Sequence, residues 1–518
     1  LLAQGNRTWQ QILADYGHWL GIALGIAGVL AANVRTQPWT LDDAYITFRY
    51  AENLAAGHGL VYNPGEYVEG TTTLLWAVIL AAVHAIGLDT ILASKTLGFM
   101  LAVATVLLAG HAHTFVQGLS RNGSALAAAL IGAWIPFGAW CQTGMEVPLA
   151  GFLGLLAFLL YLRWQNDAGN PALGSATAIV CALAMFSRPE SGLVFGAMFL
   201  DGVFRAPKLG LRRMLPFVGV FCAALVLITA WRLYYYGDYV PNTFHAKVGA
   251  TEAQILRGLG YLEHFAMSSI AALFLVVAGI VFSGGAPRVR SASAVLGLFL
   301  VLHTAYVISV GGDVMPAYRF FATVVPMAAL LGGITLHVHA GAGWRAWIVV
   351  AIIGGHAAYE LQHNKTYAIH DAVAHYGRLT GLFMKDHYPP DTLIATNTAG
   401  TIPYFSGLPT IDTLGLCDRT IGRTHMPTMG KNQAGHEKAN GKYVLSRKPD
   451  VVILGSSRGQ VKPRFRSDKE LVAQPGFKKE YFRKDFKLDG YTLIVYQRKD
   501  TFKEEYSALQ SKSKADKE

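Results

Sequence analysis

Charge and cysteine are both scarce in this 518-residue chain: charged side chains make up 15% of it, and four cysteines are present. Four scattered cysteines with no CxxC pair exclude a disulfide framework, and no zinc-ligand spacing is visible. Cys141, Cys181 and Cys222 fall in apolar runs and read as small core residues, while Cys417 lies in polar sequence. Nothing resembles a nucleic-acid module, so the pI of about 9.3 does not indicate nucleic acid as a partner. The first apolar run lacks an Ala-x-Ala cleavage end and many runs follow, which reads against a signal peptide. The chain starts at Leu1 without Met and is read as trimmed or incompletely represented.

What the chain has in abundance is apolar sequence. Hydrophobic residues are 52% of it and mean hydropathy is +0.33, a balance poorly suited to a soluble protein. Runs at 16–34, 91–116, 144–162, 214–231, 264–283, 292–310 and 318–337 are each long enough, or nearly so, to cross roughly 30 Å of hydrocarbon. Shorter runs at 72–88, 124–140, 173–186, 190–204 and 345–358 add candidate spans packed inside a bundle. The runs are rich in Ala, Gly and Leu without strand-like alternation, which favours close helix packing over a barrel. The expectation is a multi-span α-helical membrane protein of about ten to twelve segments.

Basic residues set the expected topology. Arg205, Lys208, Arg212 and Arg213 occupy one turn without an acid, and Arg288 and Arg290 another, which predicts a cytoplasmic side for both. By alternation 232–263 and 311–317 face outward, and 35–71, with five acids against two bases, suits that side. One conflict follows. If 72–88, 91–116 and 124–140 all cross, Gln142–Glu146 falls in the cytoplasm, so one short run is re-entrant or interfacial.

Near 359 the apolar runs stop. Thr392–Thr396, Pro409–Asp412, Asp450–Leu454 and Tyr491–Tyr496 read as short strands, and His436–Arg447 as a helix ended before Pro449. The domains expected are a transmembrane unit over 1–358, a soluble α/β domain over 359–500 and a polar, flexible tail over 501–518. From Lys442 onward 19 basic residues face 11 acidic ones, a net of +8, which suits a solvated face or a polyanionic surface.

The strongest chemical signal is the adjacent pair Asp42 and Asp43, where the first apolar run meets polar sequence. On a helix their side chains diverge by about 100°, so one is assigned as general base toward an acceptor hydroxyl. The other binds a hydroxyl, a metal or an Arg such as Arg49, or caps the helix that follows. Glu69 is a candidate for sugar hydroxyls or a surface acid. Glu146, Arg188, Glu190, Asp313 and Arg319 recur at span ends, where polar groups need partners or a ligand. Arg188 either bridges Glu146 or Glu190, or cradles a lipid-borne phosphate. Asn242, His245 and Lys247 follow an aromatic segment suited to isoprenyl phosphate and sugar rings. Lys247 and Arg188, then Arg319 and His245, are the donor or phosphate candidates. Glu69, Glu146, Glu190, Asn242 and Asp313 are the sugar or acceptor candidates.

The motifs Leu41–Leu54 (LDDAYITFRYAENL), Gly57–Gly65 (GHGLVYNPG) and Glu69–Thr72 (EGTT) resemble those of the integral-membrane GT-C glycosyltransferases. Within that group the chain looks most like the mycobacterial-type terminal β-(1→2)-arabinofuranosyltransferases. The resemblance continues through Gly144–Glu146, Ser187–Glu190, Pro241–Lys247, Gly311–Asp313, Thr398–Tyr404, Ile411–Leu416, Gly435–Lys438 and Lys448–Asp450. It implies a decaprenyl-phosphate-arabinofuranose donor and arabinan of arabinogalactan or lipoarabinomannan as acceptor, with transfer on the periplasmic side of the plasma membrane. It also implies Asp42 or Asp43 as the catalytic carboxylate, and a C-terminal domain that positions the acceptor through Asp412, His436 or Lys442. Donor and product would both be β-linked, which a simple inverting base mechanism does not produce. Some relatives use a divalent ion, and the Asp pair permits Mg2+, Mn2+ or Ca2+. Membrane lipids are expected partners, and no protein partner is indicated. The alternatives are the same donor class with another sugar or acceptor, and a lipid-linked glycan transporter, against which no inverted repeat is apparent.

Overall fold

Two glycine- and alanine-bearing helices lie backbone to backbone at the heart of the helical bundle. A side chain at Gly21, Gly25 or Gly28 would strike the backbone of Ala125, Ala128 or Gly132, the small-residue approach that membrane bundles use. The computed structural model describes residues 9–36, 40–167, 170–209 and 211–515. Trp39, Leu1 and the last three residues of the expected tail lie outside the described residues.

The fold class is the expected one: a multi-span helical membrane protein with a soluble sheet-containing domain after it. Every apolar run is helical, but not every helix is a full-length apolar span. Tyr16–Thr36, Thr90–Gly110, Val147–Asn166, Arg212–Tyr236 and Pro287–Val310 are long and apolar enough by themselves. Two bent pairs, Glu252–Ser268 with Ile270–Val281 at 102° and Pro316–Ala322 with Val325–Ala340 at 67°, raise five to seven. By length and composition this is fewer than the ten to twelve expected from apolar runs alone. The others are split or short, as in Arg121–Gly132 followed by Ile135–Trp140, Pro171–Ser187 and Leu74–Ala85.

Polar contacts sort the helix ends into two groups. At one end His337 meets Ser120 and Gly118, Arg288 meets Gln165, and Gln165 meets Asp201. At the other, Asn33 meets Gln142, Leu41 meets Thr143, and Arg188 meets Glu146. Gln142–Glu146 therefore shares an end with the first loop. The parity conflict resolves at Leu74–Ala85, twelve residues or roughly 18 Å long, which packs along helix Asp42–Ala55. Glu52 of that helix contacts both His84 at its far end and Thr90 at the start of the next span. The short helix thus does not cross.

The soluble domain has a five-stranded sheet of order β2-β1-β3-β5-β4. β1 (Ile394–Thr396) runs parallel to β2 (Thr410–Asp412) and β3 (Val451–Ile453), and β4 (Tyr481–Leu488) with β5 (Tyr491–Arg498) forms an antiparallel hairpin. Asp489-Gly490, with Gly490 at φ 77°, makes the two-residue turn. β4 was not expected, because its Arg-Lys-Asp centre masks an alternating pattern. The expected helix over His436–Arg447 shrinks to Gly441–Ser446, since Asn440 accepts from Tyr443 N at 3.0 Å and starts the helix there. The expected polar tail instead carries a helix, Lys503–Ala515, held to β4 by Lys484–Glu505 at 3.0 Å and by Phe482 against Tyr506.

The first loop docks this domain onto the bundle. Asn63 exchanges hydrogen bonds with Thr410, at 2.8 and 3.1 Å, and Tyr62 donates to the Ala399 carbonyl at 2.6 Å. Buried Arg49 donates to the carbonyls of Tyr62, Pro403 and Leu408. It is therefore a docking residue and not the partner of Asp42 or Asp43.

Candidate active site

Helix Asp42–Ala55 begins without a side-chain cap of its own: Leu41 holds the N-cap position. The soluble domain supplies the missing group, as Asp371 accepts from Asp42 N at 2.9 Å. Asp42 returns the favour, and so does not cap its own helix. Its carboxylate accepts from Gly400 N (3.1 Å), Thr401 N (2.8 Å) and the Thr401 hydroxyl (2.6 Å), capping the helix Thr401–Ser406. Only glycine fits at 400, because a Cβ there would lie 1.8 Å from the Asp42 carbonyl oxygen. Burial pushes the Asp42 carboxyl up to about 7, the charge of Asp371 adds to this, and the Thr401 bonds oppose it.

Asp43 points the other way, into a cavity of about 500 Å³ between the bundle and the soluble domain. Its side chain is 24% exposed and its charged neighbour is Arg319, at 3.6 Å. Arg319 is itself anchored by Asp313 at 2.6 Å. The turn before it places Ala317 and Tyr318 at φ 49° and 51°, a conformation that costs about 1–3 kcal/mol per non-glycine residue. Trp140 donates to the Ala317 carbonyl and Tyr318 to that of His264, both at 3.0 Å, and these bonds hold the turn.

Arg188 lies on the same wall, bonded to both Glu146 and Glu190, all three side chains being buried. Both bridges considered for it exist at once, so its charge is already compensated. Lys247 differs. It is half-buried on the cavity wall and, among the described residues, its ammonium has no ion pair or hydrogen bond. Arg319 and then Lys247 hold the Asp313 carboxyl below its ordinary range against the upward push of burial. His436 enters from the soluble domain, its Nδ1 3.1 Å from the Ala434 carbonyl and its ring 5.1 Å from that of Phe465. Burial lowers its pKa.

The cavity thus gathers Asp43, Asp42, Arg188, Glu190, Lys247, Asp313, Arg319 and His436, and Glu146 lines a small recess beside Asp43 and Lys247. Four candidates lie elsewhere. His245 sits about 200° around the helix from Lys247 and pairs with Asp238 at 3.1 Å. Asn242 is buried and donates to the carbonyls of Gly415, Leu416 and Asp418. Glu69 is clamped by two nitrogens of Arg232, each at 2.9 Å. Asp412 accepts from Leu414 N and Cys417 N, and burial raises its carboxyl to about 6. These four hold the fold around the cavity and do not line it. Asp371 and Arg232 do line it and were missed. An Asp just before the 372–387 helical pattern was the available signal for the first.

The carboxylates of Asp42 and Asp43 do not converge, and Asp42 already accepts three hydrogen bonds. The pair therefore does not form a shared divalent-metal site, and the described residues contain no cluster of three or more His, Cys, Asp or Glu side chains suited to one.

This architecture is shared with known proteins. A terminal β-(1→2)-arabinofuranosyltransferase of Corynebacterium glutamicum is 28% identical over 340 residues, 57% of this chain and 48% of that protein. The chain therefore spans about half or less of the length of the curated relatives it matches. The oligosaccharyltransferase AglB of Archaeoglobus fulgidus, solved with an inhibitory peptide and a dolichol-phosphate, superposes with a TM-score of 0.55 at 10% identity, over 77% of this chain and 64% of that one. ArnT of Cupriavidus metallidurans, bound to undecaprenyl phosphate, gives 0.51 at 13% identity over 92% and 97%. A family described as a domain of unknown function (DUF8728) matches residues 363–507. The chain has a GT-C-like, membrane-embedded glycosyltransferase fold.

Proposed function

We propose that this protein transfers a sugar from a polyprenyl-phosphate carrier to a hydroxyl of a glycan acceptor, at the cavity bounded by Asp43 and Lys247. The observation that carries the reading is one open carboxylate facing, on a single cavity, one ammonium that has no ion pair among the described residues, while Arg188 is held by Glu146 and Glu190 and Arg319 by Asp313. Asp43 takes the proton of the acceptor hydroxyl as its oxygen bonds to the anomeric carbon. The anomeric carbon–oxygen bond to phosphate breaks, and its electron pair leaves with the polyprenyl phosphate. Lys247 meets the charge that develops there. The proton on Asp43 then returns to water through the open side of the cavity. Arg319 orients Asp43, and His436 borders the acceptor side.

The polyprenyl phosphates bound by the AglB and ArnT structures support the donor class. Apolar Val240, Phe244 and Val314 on the cavity wall suit a lipid tail. The name of the curated relative supports a finer form: decaprenyl-phosphate-arabinofuranose as donor and arabinan as acceptor. A single displacement driven by Asp43 inverts the anomeric centre, whereas that finer form needs β configuration in both donor and product. Basic Arg212, Arg213, Arg288 and Arg290 sit at the end of the bundle opposite the cavity, which supports an extracytoplasmic site.

The test is a panel of polyprenyl-phosphate sugars offered to the purified protein with neutral oligosaccharide acceptors, followed by linkage analysis of the product. Transfer from at least one donor, with a defined linkage, is expected. No transfer from any donor, by a protein that binds polyprenyl phosphate, would overturn the reading.

A further inference from the structure

Beyond the transfer cavity lies a second one, also of about 500 Å³, within the roughly 300–1,000 Å³ range of ligand clefts. We propose that this second cavity binds the acceptor glycan several residues from its reacting end, an inference that rests on the transferase reading above. Its walls come from both parts of the protein. Tyr67 belongs to the first loop, Tyr235 to the last turn of helix Leu215–Tyr236, and Asp418, Tyr443 and Arg447 to the soluble domain.

The aromatic groups form a corner. Tyr67 and Tyr235 have ring centroids 5.1 Å apart at an interplanar angle of 84°, and Tyr67 is 49% exposed. The Tyr235 ring is fixed because its hydroxyl accepts from Leu60 N at 2.9 Å and Trp231 stacks behind it. A rigid aromatic face that remains wet on one side suits the apolar C–H face of a sugar ring.

Beside that corner runs a preformed chain of polar groups. Arg447 donates to Glu66 at 2.9 Å and to the Tyr443 hydroxyl at 2.8 Å, and Tyr443 donates to Asp418 at 3.1 Å. Each member is held by its neighbour, so little side-chain entropy is lost when a ligand arrives. Both Glu66 oxygens keep a free lone pair after accepting one bond each, from Arg447 and from Asn63. The cavity's two acids, Glu66 and Asp418, balance its two arginines, Arg419 and Arg447. A balanced site favours a neutral polyol over a phosphate, a headgroup or a polyanion.

Position links this cavity to the chemistry. Leu416 lines the transfer cavity and the next residue, Cys417, lines this one, so residues 416–417 belong to a wall common to both. A glycan with its end at Asp43 reaches the aromatic corner with its earlier sugars. Recognition of chain length, and not only of the terminal sugar, follows.

The experiment uses the full chain in detergent, with saturation-transfer NMR on neutral oligosaccharides of two and of six or more residues and no donor present. The longer glycans should bind, and Tyr67→Ala should weaken them about tenfold. Tyr67→Phe, which keeps the ring face, should bind as the native protein does. In transfer assays Tyr67→Ala should raise KM for long acceptors by a similar factor, with kcat and the KM for disaccharides unchanged. Native-level binding of long glycans by both Tyr67→Ala and Arg447→Ala would overturn the proposal. So would a native protein that binds no neutral oligosaccharide, or whose Tyr67 contacts anionic lipid instead. The binding arm needs no donor, so it reads this inference separately from the transferase reading.

Discussion

The first turn of helix Asp42–Ala55 presents two carboxylates to two different surroundings. Asp42 faces the soluble domain, where three donors from Gly400 and Thr401 occupy most of its acceptor sites. Asp43 faces the cavity, with the Arg319 guanidinium 3.6 Å from its carboxylate. The same side chain, one residue apart, is a joint in one place and, in the proposed reaction, the base in the other. What separates them is hydrogen-bond occupancy, since both are partly buried beside helix ends. Three of the roughly four acceptor sites of the Asp42 carboxylate are occupied by the soluble domain, which leaves it little capacity to take up a substrate hydroxyl.

The sharpest way to break this contrast is Asp43→Asn. Turnover should fall at least ~100-fold, equivalent to about 2.7 kcal/mol of barrier, while the melting temperature in detergent stays at the native value. Retained turnover would move the base elsewhere. Asp42→Ala should do the opposite, lowering stability by about 2 kcal/mol through the donors it leaves buried and unpaired. Thermal melting and limited proteolysis of the 394–515 region would read this. A native melting curve would show that Asp42 is no joint. Lys247→Ala should raise the donor KM about tenfold and leave melting unchanged. Unaltered donor saturation would remove it from the phosphate site.

The smallest effect concerns pH. The Asp42 carboxyl rises from its ordinary 3.8 to about 7 in the folded protein, so the unfolded chain gives up that proton first as pH increases. Its contribution is fullest below about 4 and fades as pH climbs through about 7. Native protein should therefore lose stability relative to Asp42→Asn between about pH 4 and 7. Parallel melting curves across that range would remove the titration from Asp42.

How far the sequence alone reached depended on distance along the chain. Asp43, Lys247 and Arg319 stand in local motifs at span ends, where polar residues beside hydrocarbon already need explaining. Asp42 was legible as important but not as a joint, because its partner Thr401 lies 359 residues away. Nothing in either segment names the other. Asn242 and His245 were misplaced for a related reason: a helix of six residues turns them away from Lys247, and which face meets the cavity is decided by the packing around it. β4 escaped notice because Arg483, Lys484 and Asp485 sit on half-exposed positions of an edge strand, where charge is ordinary in a fold and discouraging in a pattern.

The short helix Leu74–Ala85 carries a consequence for the whole site. Asp43 precedes it in the chain, whereas Arg188, Lys247, Asp313, Arg319 and His436 all follow it. Lengthened to the roughly twenty residues of a full crossing, it would send every later wall residue to the opposite face of the bilayer from Asp43. Two compartments would then each hold half of a reaction centre. The shortness of one helix, away from the cavity itself, is a condition for the proposed active site.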